Sequence, residues 1–311
     1  MNVSPPPSED PKLFIIAKRC GRLGNQLLLF ANLIAYAAEH GDRVTNMTFH
    51  GYAHLFETTQ RDIYGRYPVS KRRSLFDASP WLAAKIRKSM IFYRLIKGVS
   101  KLNEKFRLRG RRSVTLREED SNLTVLMEGS GVQNKIAGTK WVFLHSWGFR
   151  APEAVEKHAD KIRSYFRPVE AIDKKTRAII QRMRAGVDVV VGVHIRHGDY
   201  RDFLGGRYFF TVPRYAEWMR EVAAQFPGKK VAFFVSSEEP RQREEFPDLT
   251  VEFAAGTPVE DMYTLAWCDY VMGPVSTFSQ WASFYGGAPM LQFSSSEDRA
   301  ELAKFQVAAL N

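Results

Sequence analysis

At 311 residues the chain is long enough for two domains of roughly 150 residues each, and 45% apolar with 25% charged content supplies an ordinary globular core. Lys and Arg number 45 against 34 acids, a net +11 that points to an anionic partner such as phosphate, nucleic acid or a membrane surface. Two cysteines, Cys20 and Cys268, exclude a disulfide framework, and no apolar run approaches the roughly 18–20 residues that span a bilayer.

Residues 1–10, polar and Pro-rich, read as a disordered lead-in without the apolar core of a signal peptide, so the expected compartment is a reducing cytoplasm. Leu13-Phe14-Ile15-Ile16-Ala17 is a short apolar run of the kind that forms a buried strand. It leads through Gly21-Arg22-Leu23-Gly24-Asn25-Gln26 into a helical pattern from about Gln26 to His40, closed by Gly41. Residues 61–117 hold seventeen Lys or Arg and three acids, a local +14, which leaves the rest of the chain at −3. Within that stretch Trp81 to Phe106 predicts an amphipathic helix.

Trp141 to His145 is the next expected strand, and 153–166 a helix before Arg167-Pro168. The expected division is an N-terminal α/β domain over 11–168, with a basic helical insertion at about 71–112, and a C-terminal Rossmann-like domain over 169–311. Beyond the boundary, strands are predicted at 188–195, 231–236, 250–253, 270–272 and 290–293. Helices are predicted at 213–225, 258–268 and 277–285, with a terminal helix after the last strand. Repeated β–α units imply a parallel, doubly wound sheet with its ligand at the carboxyl ends of the strands.

The sharpest constellation is His194-Ile195-Arg196-His197-Gly198-Asp199-Tyr200, which follows a fully apolar strand and so emerges at the ligand edge. Arg196 is the side chain suited to planar gripping of phosphate; the alternative is a surface turn in which Arg196 pairs with Asp199. In the turn Arg22 to Gln26, free N–H groups at the helix start could hold a phosphate, or Asn25 could simply be the N-cap. Ser276 and Thr277 lie where a strand gives way to a helix, so their hydroxyls either cap it or touch a phosphate. Ser236-Ser237-Glu238-Glu239 is equally open. The seven histidines show no metal-ligand spacing, and His40 and His158 read as solvated helix residues.

Taken in order, GRLGNQ (21–26), HIRHGDY (194–200), FVSSEEP (234–240) and DMYTLAWCDYVMGPVSTFSQWAS (261–283) resemble the α-1,2-fucosyltransferases of glycosyltransferase family 11. The resemblance implies a GT-B-type pair of Rossmann-like domains facing a cleft, GDP-fucose as donor, inversion at the anomeric carbon and no metal. It places Arg196 on the donor diphosphate and His194 near the nucleotide, with Asn25 facing the cleft. Asp261, Ser276, Thr277 and Ser279 would contact the nucleotide or its phosphates. Three departures stand out: His197 where the family has a second Arg, Glu238-Glu239 where it has two Asp, and Gln280-Trp281 where it has two Trp.

A metal-free departure of a nucleoside diphosphate needs a fixed cation and hydrogen-bond donors. Arg196 would supply the first; Arg22, Gly24, Asn25 and the 276–279 hydroxyls would supply the second. Asp199 and Asp202 are the nearest candidates for the general base or for orienting Arg196. The expected acceptor is a glycan, with a lipid-linked one among the candidates. Residues 71–112 could then lie on an anionic membrane surface, making the protein peripheral on its inner face. Two alternatives remain at this stage: another GDP-sugar, or a non-catalytic anion- or nucleic-acid-binding protein built on the +14 stretch. Nucleic acid is not the expected partner.

Overall fold

Four apolar residues, Leu13–Ile16, form β1, and Gly21 at φ 63° turns the chain directly into α1 (Leu23–His40). The computed structural model describes residues 10–62, 64–69, 94–95, 98–99, 112–117 and 124–310. They divide into two units, Met1–Val169 with Leu310–Asn311, and Glu170–Ala309. The lead-in expected over 1–10, the basic insertion at about 71–112 and the helix read over Trp81 to Phe106 fall outside the described residues, apart from positions 10, 94–95, 98–99 and 112.

In the first unit, β1 and α1 are followed by β2 (Arg43–Thr45), β3 (Arg66–Tyr67), β4 (Ser113–Leu116), β5 (Val125–Leu126), α2 (Ser130–Ile136), β6 (Trp141–Leu144) and β7 (Phe149–Arg150). The main sheet runs β3-β2-β1-β6-β4, parallel except for β3, and β5 pairs with β7 alone. α1 is apolar nearly all round because it is buried nearly all round. Its fully buried Asn32 is satisfied: Nδ2 donates to the carbonyls of Leu28 and Leu310, and Oδ1 accepts from the N–H of Ala151.

The helix expected over 153–166 is two short ones, α3 (Pro152–Lys157) and α4 (Ala159–Tyr165), broken at His158. His158 is not solvated as expected; it is buried and its Nε2 lies 2.8 Å from the Glu39 carboxylate on α1. That inward contact is available because the break lets each short helix lie against α1.

The second unit contains α5 (Glu170–Arg184), β8 (Val189–Ile195), α6 (Val212–Ala223), β9 (Val231–Ser237), β10 (Thr250–Phe253), α7 (Pro258–Ala266), β11 (Tyr270–Pro274), α8 (Thr277–Gly286) and β12 (Met290–Phe293). Its sheet is wholly parallel, ordered β10-β9-β8-β11-β12. The order reverses between β8 and β11, which makes their carboxyl ends the switch point of the sheet. α5 has no counterpart among the expected elements, although Ile172, Thr176, Ile180 and Met183 mark one buried stripe.

The expected terminal helix is absent among the described residues after β12. The chain instead makes one 3-10 turn (Leu302–Lys304) and a bridge between Met290 and Gln306. Asp298 explains this: its carboxylate accepts from the N–H groups of Ser294 and Ser295, and its carbonyl from Trp218 Nε1, so the segment is fixed as a turn against α6. Trp218 is fully buried and stacks on Phe293 with ring centroids 3.6 Å apart.

Gly286, the last residue of α8, approaches α7 so closely that a Cβ there would fall on the backbone carbonyl of Ala266. Backbone cannot rotate away as a side chain can. Gly286→Ala is therefore expected to destabilise the second unit by about 1–3 kcal/mol, read as a lower denaturant midpoint at an unchanged slope.

Candidate functional site

β8 is buried along all seven residues, being flanked in the sheet by β9 and β11 and covered on both faces. Its polar chemistry is therefore confined to its carboxyl end, where His194 stands opposite Ser236 and Ile195 opposite Ser237. After β11 come Val275 and Ser276, followed by the first turn of α8.

His194 is 3% exposed and its ring lies 4.8 Å from that of Phe278. β11 can come this close because residue 273 is glycine; a Cβ there would be 2.6 Å from the His194 carbonyl oxygen. Burial, reinforced by the Arg196 charge, lowers the pKa of His194 to about 3, so the ring is neutral under any working condition. Its Nδ1 is buried and makes no hydrogen bond among the described residues.

The Arg196 side chain is only 12% exposed. Its Nε and Nη2 donate to the Asp199 carboxylate at 3.0 and 3.1 Å, and its Nη1 pairs with Glu238 at 3.0 Å. The guanidinium lies 5.2 Å from the centroid of the Tyr200 ring. Gly198 makes room for Glu238, since any Cβ at 198 would collide with that carboxylate. The Arg196–Asp199 pairing weighed from the sequence is thus present, with a second acid added.

His197 turns away from this group. Its ring is buried, with Nε2 2.7 Å from the Phe210 carbonyl and Nδ1 3.3 Å from both Glu239 and Arg241 Nη2. A carbonyl only accepts, so Nε2 carries the hydrogen. Glu239 accepts from Arg201 and Arg241, and the Arg201 contact leads in drawing its carboxyl down to about 2. His197 is thus a buried link between two loops.

Ser276 is the N-cap of α8, its Oγ accepting from the N–H of Phe278, while Ser279 Oγ donates to the Ser276 carbonyl. Thr277 opens the helix and is half-buried. Asp261, on α7, receives a 3.5 Å hydrogen bond from Ser236 Oγ, and burial raises its pKa to about 6. The structure therefore brings His194, Arg196, Asp199, Asp261, Ser276, Thr277 and Ser279 to one edge of one sheet. Asp202 is exposed on the loop beyond.

Arg22, Gly24 and Asn25 form their own group in the first unit, after β1. α1 starts at Leu23 rather than Gln26, so Gly24 and Asn25 belong to its first turn and Asn25 is not the cap; Arg22 occupies that position and makes no side-chain capping hydrogen bond. The positive φ of Gly21 makes the bend earlier than expected, and Gln26 Nε2 closes it on the Gly21 carbonyl at 3.0 Å. Arg241 was missed by sequence reasoning. It follows a proline on a loop and carries no periodic or motif signal. Among the described residues no group of three or more His, Cys, Asp or Glu side chains is placed to hold a metal ion.

Residues 125–304, more than half the chain, match the model described as glycosyl transferase family 11. The chain belongs to that family. The galactoside alpha-(1,2)-fucosyltransferase 1 of Saimiri sciureus is 28% identical over 142 residues, which cover 41% of this chain and 38% of that relative. The alignment thus spans well under half of the relative's length. Among solved structures, Arabidopsis thaliana FUT1 in complex with GDP matches with a TM-score of 0.56 at 12% identity, covering 97% of this chain and 75% of the other. The fucosyltransferase NodZ from Bradyrhizobium matches at 0.52 and 17% identity, covering 96% and 97%. These likenesses establish the fold of this family 11 chain: α/β of the GT-B type, with two Rossmann-like units.

The raised pKa of Asp261 has a consequence for stability. Below the ordinary carboxyl value of 3.8 the acid is protonated whether the chain is folded or not, and its stabilising protonated form is lost as pH rises through about 6. Asp261→Asn cannot ionise. It is expected to match wild type near about pH 4 and to be more stable by about 1–2 kcal/mol near about pH 7.5, measured by urea unfolding at both values.

Proposed function

We propose that this family 11 chain transfers fucose from GDP-fucose to a hydroxyl of a glycan acceptor, with inversion and without a metal ion. One observation supports the reading above all others: Arg196, a nearly buried guanidinium, stands beside the neutral His194 at the switch point of the second sheet. A departing nucleoside diphosphate gains negative charge, and a fixed guanidinium is the protein group that meets it without proton loss. Arg196 has five N–H donors, of which Asp199 and Glu238 take three, so phosphate oxygens can be received without discarding both acids.

The N–H groups opening α8 add a partial positive charge at the same edge. Within this reading Nδ1 of His194 faces the nucleotide, and Asp261, Ser276, Thr277 and Ser279 shape its site. Arg22, Gly24 and Asn25, at the start of α1 in the first unit, form a separate turn whose N–H groups suit an anion. Asp199, held to Arg196 by two hydrogen bonds, suits orientation of the guanidinium; proton removal from the acceptor then falls to Asp202 or to a group of the acceptor side. Inversion follows from one in-line displacement by the acceptor hydroxyl.

The relative from Saimiri sciureus is named for galactosides, which makes a terminal galactoside the first acceptor to try. No helix among the described residues is long and apolar enough to cross a membrane. Contact with anionic lipid through 71–112 is part of the proposal on sequence grounds alone.

GDP-fucose is expected to be consumed at the same rate in EDTA as in added Mn²⁺, followed by release of GDP. Activity that disappears in EDTA and returns with the metal would overturn the metal-free mechanism. Arg196→Ala is expected to lose about 2–4 kcal/mol of transition-state stabilisation, roughly 30- to 1000-fold in kcat/KM. Arg196→Lys should recover little, because an ammonium cannot reproduce the planar fork. A folded Arg196→Ala protein within a few-fold of wild type removes Arg196 from the site.

A further inference from the structure

We infer that Phe203 and Leu204 form a stacking platform for a pyranose ring of the acceptor glycan; the inference rests on the transferase reading above. The loop leaving β8 makes two 3-10 turns, Gly198–Arg201 and Phe203–Gly206. Three planar groups follow one another along it. The Arg196 guanidinium lies 5.2 Å from the Tyr200 ring centroid, and the Tyr200 ring stacks on Phe203 with centroids 5.4 Å apart and planes 23° from parallel. Tyr200 is anchored in the middle, its hydroxyl donating to the Val275 carbonyl at 2.8 Å.

The stack begins at a nearly buried cation and ends in solvent. Phe203 is 46% exposed and is the one exposed phenylalanine among the described residues. Leu204 beside it is 56% exposed and Val275 is 37% exposed. Leu204 sits at φ 50°, ψ 41°, a left-handed conformation that a branched side chain rarely adopts, and Gly205 and Gly206 continue it with φ 67° and 77°. The fold thus holds two apolar side chains out of the core by means of an unfavourable backbone. Outliers of this kind collect where a ligand is gripped.

The chemistry of the patch selects its occupant. A pyranose presents a face of C–H groups and a rim of hydroxyls. The electron-rich face of an exposed phenyl ring meets the first, and the exposed Arg201, Asp202 and Arg207 of the same loop offer donors and an acceptor to the second. A protein partner would need about 1,600 Å² of interface, far beyond what two or three side chains cover. The platform is also continuous, through Tyr200, with the guanidinium assigned to the donor.

The test uses the full chain with Phe203→Ala, F203Y and F203W. With GDP-fucose and a galactoside acceptor, Phe203→Ala is expected to raise the acceptor KM at least tenfold, with F203Y restoring it. The GDP-fucose KM and the GDP Kd should stay within twofold. In parallel, with GDP present, methyl β-galactoside, β-glucoside, α-mannoside and β-N-acetylglucosaminide are titrated into F203W. A saturable blue shift of the added indole with at least one of them is expected. An unchanged acceptor KM in Phe203→Ala overturns the platform, as does an indole that no glycoside moves. An indole that responds to phosphatidylcholine vesicles and to no glycoside assigns the patch to lipid instead. Wild-type protein that fails to bind GDP sinks the donor reading, and the glycoside titration of F203W then judges the platform on its own.

Discussion

The second unit depends on one constraint: β8 is buried on every side. A strand with neighbours along both edges and cover on both faces has no place for a charge along its length. Val189 to Val193 are accordingly apolar or glycine, and the imidazole of His194 is tolerated because it is neutral. The first permanent charge comes at Arg196, after the strand has ended. The same burial that makes β8 the centre of the sheet concentrates its chemistry at one end. The sheet order then supplies β11 and the start of α8 on the adjacent side.

Arg196 shows how that edge is kept in order. A guanidinium with little access to water must be paired, and here two acids from different segments share it: Asp199 from its own loop and Glu238 from the loop after β9. Gly198 leaves the Glu238 carboxylate its place, since a Cβ there would make that side chain shift away. Next to this ion cluster His197 ties Phe210 to Glu239 and Arg241. His197 thereby joins the loop after β8 to the loop after β9.

Several elements take a form that particular contacts decide and the local hydrophobic pattern does not show. His158 looks like a surface residue in a helical pattern until Glu39, more than a hundred residues earlier, draws it inward. The segment after β12 has helix-forming composition, yet the Asp298 carbonyl, bonded to Trp218 Nε1, and its carboxylate, bonded to the N–H groups of Ser294 and Ser295, pin it as a turn against α6. α1 begins early because the left-handed Gly21 completes the bend before the apolar pattern becomes visible. Arg241 joins the Glu239 cluster only through the folding of a loop.

What the amino-acid sequence determined by itself is the material of this protein. Short apolar runs alternating with helical patterns dictate parallel α/β units, since such strands can be satisfied only under cover on both faces. Polar residues placed directly after those runs, at Arg196 and at Ser276, mark the carboxyl edge because the strand's own burial forbids them earlier. Tertiary structure alone decided which of them meet. Strand order brought His194 level with Ser236 and Ser236 within reach of Asp261, and loop closure set two carboxylates on one guanidinium. Side-chain pairing across a sheet depends on spatial neighbours that local composition does not encode, and burial by those neighbours holds His194 neutral and raises the pKa of Asp261.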